Sequence, residues 1–558
     1  MKFAEIQRSI SELYAKPDAS VGDYFAKEKL LQEIEDEVPA YIRRGRAAFL
    51  GSFTIQGLPE ALKVRGVFDN ILIDAYTAPY NQFTQEILNE ASALYHFDPQ
   101  IIYLVIDKKD ILDEAHLNQL VSTLEARAKA KIILFNFTAS PECPSEEIDI
   151  ANQRLTREYR DHKKVVIFDF DAFLQGIGRK GHWYTKYKDL GDLRLAPSAF
   201  PALAEAMSGY AVAVIGATKK CAVLDLDNTL WQGIVGEDGM ERIQPDQELQ
   251  KHILDRYERG VILAIASRNN MEDAMEVINQ HPRMILRKKH FAAWRINWDS
   301  KDRNIAALAE ELNIGLDSMV FIDDDPFQQN LIRASLPEIA VVPPSRLKGY
   351  SGFHTFTVTE EDARRGALYA EDRLRKEFKQ SFKDMDEYLR GLRLEVLVGE
   401  VGPDSIPRIS QLTQKTNQFN LTTRRYSEEE ITAGIHEGKK VWAVRVKDAL
   451  GDYGTTGVCI VDPGSEEWRI DSFLLSCRVM GRAVEKAFLS YVANQARSAG
   501  MARLIGEYIP TKKNQPCASF FSDAGFVSVR APHEVRRYHF DLAQELQKPD
   551  FITVREEE

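Results

Sequence analysis

Short runs of consecutive apolar residues, separated by amphipathic stretches, organise roughly the first 210 residues of the chain. AAFLGSFT, FDNILIDAY, IIYLVID, KIILFNFT and KVVIFDF are too short for helices and rich in branched and aromatic residues, so each predicts a strand. Helical patterns between them predict a parallel α/β layer, and MKFAEIQRSISELY at the start predicts a mixed-charge amphipathic helix. From Lys220 to about Pro344 the same logic recurs, with CAVLDLD, VILAIAS, MILR, SMVFIDDD and IAVVP as strands. A charged stretch, EEDARRGALYAEDRLRKEFKQSFKDMDEYLRGL, then predicts one or two connecting helices. From Arg393 the order changes: LEVLVGEV, KVWAVRVKD, GVCIVDP and WRIDSFLLS are strands ahead of the helix GRAVEKAFLSYVANQARSAG, a mixed α+β pattern. The last residues, FITVREEE, are expected to be a solvated acidic tail. The expectation is therefore a multidomain α/β chain divided at 1–215, 216–350, a helical connector 351–395, and 396–548.

Composition narrows the class. At 558 residues and 44% hydrophobic, the chain is too long for one core and too apolar for disorder. No run approaches eighteen uncharged apolar residues, which predicts no membrane span and a cytoplasmic protein. Five cysteines without CxxC spacing argue against a disulfide framework or structural zinc. A net charge of −12 gives no footprint for nucleic acid and disfavours acidic partners, unless basic groups segregate around Arg424, Arg425, Arg478 and Arg482. Oligomeric state is not readable from the sequence.

CAVLDLDNTLW places Asp225 and Asp227 at the end of an apolar strand, where a parallel sheet exposes its C-terminal edge. With this spacing the first carboxylate can attack phosphorus, and the second can protonate the leaving oxygen and later activate water. Three further strand ends supply what such chemistry needs, in order. Ser267 offers a hydroxyl to a phosphoryl oxygen, and Lys301 a cation at a helix start. Asp323 and Asp324 offer hard oxygens suited to Mg2+ beside Asp225. These residues resemble the four motifs of the haloacid dehalogenase (HAD) superfamily, with the acid/base pair of its hydrolases and transferases. The resemblance implies magnesium on Asp225, the Asp227 carbonyl and Asp324, with Asp323 behind them; Asp325 leaves that assignment open by one position. About thirty residues separate each motif from the next as far as Lys301, too few for an inserted cap, so a capless Rossmannoid domain open to bulky substrates is expected.

In the third domain, WRIDSFLLSCRVMGRAVEKAFL reads as strand, tight loop and helix, with Arg478, Gly481 and Ala483 at the helix N-terminus and Arg482 between them. This resembles the loop with which GNAT acyltransferases hold the phosphopantetheine arm of coenzyme A, and PTKKN and FFSDAGF look like that family's end. Cys477, beside Arg478 and near Arg482, has two readings: an acyl-carrying nucleophile with a lowered pKa, or a small buried residue closing the strand. TNQFNLTTRRY collects Asn417, Arg424 and Arg425, which either bind phosphate or a pantetheine arm or are ordinary solvated groups.

LDLDNTLWQGIVGEDG, FAAWRINWDSKDRNI, TNQFNLTTRRY, GDYGTTGV and SCRVMGRAVE together resemble the long form of the FkbH-like proteins, HAD subfamily IIIC. Gln232 and IDDDPFQQ depart from its usual pattern. The resemblance implies an enzyme that dephosphorylates a small phosphorylated acyl donor of the bisphosphoglycerate type and loads the glyceryl group onto an acyl carrier protein in polyketide metabolism. Two other readings stand beside it: a phosphatase fused to an N- or O-acyltransferase acting on a sugar, nucleotide or amino-acid precursor, and a non-catalytic scaffold binding a carrier protein.

The first domain resembles a degenerate SGNH-hydrolase-like domain. Ser52 follows a strand and Asn136 a later one, but His182 lies at the wrong spacing from Asp169 and Asp171. Helix capping by Ser52 is the simpler expectation.

Overall fold

A computed structural model describes residues 3–16, 19–33, 38–141, 143–356, 358, 360–379, 381–416, 418–511, 514–529 and 535–557. It divides into two compact units, Met1–Tyr369 and Ala370–Glu558, and the break falls inside the helix Glu360–Lys379. The connector segment holds a second helix, Met385–Leu392.

The first unit contains two five-stranded parallel sheets. One is built from β1 (Arg43–Gly51), β2 (Ile71–Thr77), β3 (Ile101–Val105), β4 (Lys131–Phe135) and β5 (Val165–Phe168), in the order β2-β1-β3-β4-β5. These are the five apolar runs of the sequence, and most of their residues are buried, Val166 and Ile167 of β5 only partly, because helices cover both faces. One apolar cluster runs from Phe49 and Leu62 through Phe200 and Tyr350 to Leu224 and Ile265, so the two sheets share a core. At this junction the buried guanidinium of Arg65 pairs with Asp69 at 2.7 Å and lies over the rings of Tyr14 and Phe68. Among the described residues one helical segment, Pro197–Ile215, is long and apolar enough to cross a membrane. Half of it is buried inside the unit, and its Glu205 accepts from Tyr14 Oη and Arg346.

The second sheet holds β6 (Cys221–Leu224), β9 (Ile262–Ser267), β10 (Phe291–Ile296), β11 (Met319–Ile322) and β12 (Ala340–Val342), ordered β10-β9-β6-β11-β12. A small hairpin of β7 (Trp231–Gln232) and β8 (Gln244–Pro245) follows β6, and no inserted domain occurs among the described residues. One expected strand is replaced. MILR forms none, because Gln250 Oε1 accepts the N–H groups of Ile285 and Leu286 at 2.9 and 3.1 Å and leaves no ladder to make. The fifth strand is FAAWRI instead.

The second unit is one mixed sheet with β13 (Glu395–Glu400), β14 (Phe419–Asn420), β15 (Lys440–Asp448), β16 (Gly451–Pro463), β17 (Glu467–Leu475), β18 (Arg503–Tyr508), β19 (Val527–Val529), β20 (Arg536–Asp541) and β21 (Thr553–Glu556). Its path is β19-β20-β18-β17-β16-β15-β13-β21, with β14 on β17. The helix Val484–Ser498 links β17 to β18, which run parallel. The expected acidic tail is β21, parallel to β13 from Glu395/Thr553 to Val398/Glu556, with Ile552 buried just before it. In GDYGTTGV, Tyr453 Oη donates to Asp448 at 2.7 Å, and Arg375, buried, donates to the same carboxylate and stacks 3.8 Å from the Tyr453 ring. The motif is a structural corner.

Candidate active site

The acidic groups converge at the C-terminal edge of the second sheet because four of its strands end there. Asp225 follows β6 and its N–H donates to the carbonyl of Ile322, the last residue of β11. Asn228 then takes a left-handed conformation (φ 55°), tolerable for asparagine, and its Oδ1 accepts from Gly233 N–H at 3.1 Å. This reversal takes the chain off the sheet immediately after Asp227. Lys301 opens the helix Lys301–Leu312, is 4% exposed, and places Nζ 2.8 Å from Asp225 Oδ1 and 2.5 Å from Asp323 Oδ2. Ser267, buried, ends β9.

Asp225, Asp323 and Asp324 each bring an oxygen within 4.8 Å of the others. Three hard oxygen donors of this kind suit a small divalent cation such as magnesium. Asp325 does not join them: its Oδ1 accepts from Phe327 N–H at 2.8 Å and caps the helix Pro326–Ser335. Asp323 Oδ1 accepts from Asp325 N–H, and Gln329 Nε2 donates to the Asp323 carbonyl, so the acidic loop is held from its own helix.

Four neighbours of these groups had no role in the sequence reading. Trp231 Nε1 donates to Asp227 Oδ1 at 2.8 Å and Asn269 Nδ2 to Asp227 Oδ2 at 2.9 Å, with Val235 N–H at 3.3 Å. Thr229 Oγ1 donates to Asp324 Oδ1 at 3.0 Å and accepts from Asp324 N–H. Burial raises the pKa of Asp227, opposed by the Trp231 and Asn269 donors. Burial and the Asp225 charge raise that of Asp323 to about 6, against the pull of Lys301. Burial also raises Asp324, opposed by Thr229. Burial lowers the Lys301 pKa, but Asp225 and Asp323 outweigh it and the net shift is upward.

In the second unit the SCRVMGRAVE loop turns through two left-handed residues, Gly481 (φ 73°) and Ala483 (φ 60°), before the helix Val484–Ser498. Its arginines are engaged. Arg478 Nε donates to Ser476 Oγ, while Arg482 donates to the Arg478 carbonyl and lies 5.0 Å from the Tyr453 ring. Arg424 bridges Asp471 and Glu507, and Arg425 donates to the carbonyls of Thr413 and Gln414. Arg424 is half-buried and Arg425 exposed, and both make these bonds within the second unit. Asn417 and the side chain of Cys477 lie outside the described residues. Burial raises the thiols of Cys221, Cys459 and Cys517, the last to about 11.

At the first sheet's edge, Ser52 caps no helix; the next one, Leu58–Phe68, is capped by Gly57. Ser52 Oγ donates to Asp110 Oδ2 at 2.6 Å and accepts from Asp107 N–H. Asn136 Nδ2 donates to Asp169 and its Oδ1 accepts from Asp171 N–H, while His182 Nδ1 meets the Gly178 carbonyl. No histidine partner of Ser52 occurs among the described residues.

No protein-family profile matches the chain, and no curated protein matches it. Among solved structures, the N-terminal part of the protein BF1531 from Bacteroides fragilis, containing a phosphatase domain complexed with Mg, matches with a TM-score of 0.51 and 26% identity, over 59% of this chain and 98% of that one. The ribosomal-protein-S18-alanine N-acetyltransferase of Escherichia coli (10% identity, 28% of this chain, 97% of that one) and the GNAT domain of S. lividans PAT (21%, 26% and 89%) each match with a TM-score of 0.22. The fold class is a multidomain α/β chain with two parallel Rossmann-like sheets, the second without a cap among the described residues, followed by a mixed α+β sheet.

Proposed function

We propose that this chain is a magnesium-dependent phosphohydrolase or phosphotransferase of the HAD type whose reaction serves an acyl transfer in the same polypeptide. The observation that carries the first half is the convergence of Asp225, Asp227, Lys301, Asp323 and Asp324 on one sheet edge, in a fold shared with a phosphatase domain complexed with Mg. Asp225 is the nucleophile: a carboxylate oxygen attacks phosphorus, the bond to the leaving oxygen breaks, and an aspartyl phosphate forms. Asp227, held by Trp231 and Asn269, gives its proton to the leaving oxygen and then takes one from the water that releases phosphate. Ser267 and Lys301 hold the phosphoryl oxygens. Asp225, the Asp227 carbonyl and Asp324 would bind magnesium, backed by Asp323, and the ion would offset the charge of the phosphoryl oxygens.

The second half rests on the residues alone. The loop Arg478–Ala483 leading into a helix suits the phosphate of a pantetheine arm, and the open phosphoryl site leaves room for a carrier protein. A bisphosphoglycerate-type donor and glyceryl loading onto an acyl carrier protein in the cytoplasm form the specific reading. A phosphatase fused to an N- or O-acyltransferase is the alternative, and the intact acid/base pair speaks against a purely non-catalytic scaffold. Intact-mass analysis of a carrier protein incubated with this protein, magnesium and bisphosphoglycerate decides between them. A glyceryl adduct supports loading, phosphate release without one supports the alternative, and phosphate release that survives Asp225→Asn removes the nucleophile.

A further inference from the structure

Asp323 is buried and stands just past the end of β11, where the sheet ladder no longer supplies a donor to its carbonyl. A buried carbonyl in that position needs a donor from elsewhere. Gln329 Nε2 provides one at 2.8 Å from the first turn of the helix Pro326–Ser335. On the other side of the same peptide unit, the Asp324 N–H donates to Thr229 Oγ1 at 3.2 Å. The peptide joining Asp323 to Asp324 is thus gripped at both of its polar atoms, and its tilt decides where the Asp324 carboxylate points.

Gln329 is itself set by a neighbour. Arg333, one turn further along the helix and on the same face, donates from Nη2 to Gln329 Oε1 at 3.0 Å. A guanidinium only donates and a carbonyl only accepts, so this contact fixes which end of the glutamine amide faces Asp323. Arg333 also reaches Asn330 Oδ1 at 3.1 Å. It is nevertheless 7% exposed, its Nε has no hydrogen-bond partner, and it makes no ion pair among the described residues. Burial pulls its pKa down to about 10, opposed by Glu12 of the helix Phe3–Ala15, which packs on Pro326–Ser335, so it is still charged near neutral pH. A buried cation without a carboxylate partner stabilises a fold less than a packed apolar side chain would. The contact with Gln329 is what its charge serves.

We propose that Arg333 is a positioning residue for the magnesium site: acting through Gln329, it sets the Asp323–Asp324 peptide and keeps the Asp324 carboxylate beside that of Asp225. Gln329 belongs to IDDDPFQQ, a stretch in which the chain departs from the pattern it otherwise resembles. This inference rests on the magnesium-dependent reading of the phosphoryl site.

Magnesium is the probe. Calorimetry on the full chain without substrate reads its affinity, and urea unfolding checks that each variant is folded. Loss of a contact that orients a metal ligand weakens metal binding about 10- to 100-fold. Arg333→Met and Gln329→Met should each weaken magnesium by about that factor, and the double variant by no more than either alone, because the two side chains act in series. Arg333→Lys keeps a donor for Gln329 Oε1 and should bind magnesium more tightly than Arg333→Met; should Arg333→Met not fold, Gln329→Met takes its place in this comparison. A merely structural pair would shift the urea midpoint and leave the affinity of the folded protein alone. Wild-type affinity in either methionine variant, effects that add in the double variant, or no gain in Arg333→Lys overturns the relay and leaves the phosphoryl site standing. Failure of magnesium to bind the wild type overturns both.

Discussion

Replacing Lys301 by methionine tests the electrostatic design of the phosphoryl site, because methionine keeps the buried stem and removes only the charge. The ammonium lies 2.8 Å from Asp225 and 2.5 Å from Asp323. With an effective dielectric of about 20, each contact is worth roughly 6 kcal/mol before desolvation. Burying the ammonium offsets most of this, so breaking the cluster should cost the metal-free first unit about 3–5 kcal/mol at pH 7.5. The loss should shrink at pH 5, where the crowded carboxylates take up protons and no longer repel. Linkage gives the sign: Asp323, at about 6 when folded and near 4 when unfolded, favours folding fully below about pH 4 and loses that contribution as pH rises through 6. Urea unfolding at the two pH values, with and without magnesium, measures these terms. Magnesium should restore more stability to the variant than to the wild type, since a cation replaces the missing charge. Turnover should fall about 10²- to 10³-fold, as when a preorganised oxyanion donor is lost. A variant as stable as the wild type at pH 7.5, with unchanged turnover, would refute the reasoning.

Magnesium affinity measured by calorimetry should weaken as pH falls below about 6, because protons then compete at Asp323 and its neighbours; a flat profile would place the ion elsewhere. Trp231→Phe removes the indole donor to Asp227 while keeping a ring, so the Asp227 pKa should rise and the alkaline limb of the pH–rate profile move upward. An unmoved limb would mean that Asp227 is not the titrating acid. Arg375→Met should lower the melting temperature of the second unit and cost about 3–5 kcal/mol, since it leaves the Asp448 carboxylate buried without its partner. Calorimetry that finds no change would show the corner to be dispensable.

The strands of both parallel sheets were legible because a strand buried on both faces must be a continuous apolar run, and β1 to β6 and β9 each contain one. Two strands of the second sheet break this pattern. MILR has the composition of a strand but loses its backbone donors to Gln250, a contact made 35 residues away. FAAWRI carries Arg295 toward its end and announced itself as a motif more than as a strand. The site's carboxylates were legible because each ends a strand, and their order follows from the sheet. Trp231 and Asn269 were not, because they reach Asp227 by packing rather than by spacing. The ion pairs of Arg424 with Asp471 and Glu507 were not legible either, because they join residues 47 and 83 positions apart.

The pairing of β21 with β13 gives the second unit a folding order. Glu395 meets Thr553, 158 positions later, so an emerging chain must carry β13 with one naked edge until nearly the whole unit has been synthesised. Such an edge is a template for pairing with another chain. A chain cut after Lys548 would keep it permanently, and aggregation rather than loss of a site would be its first symptom.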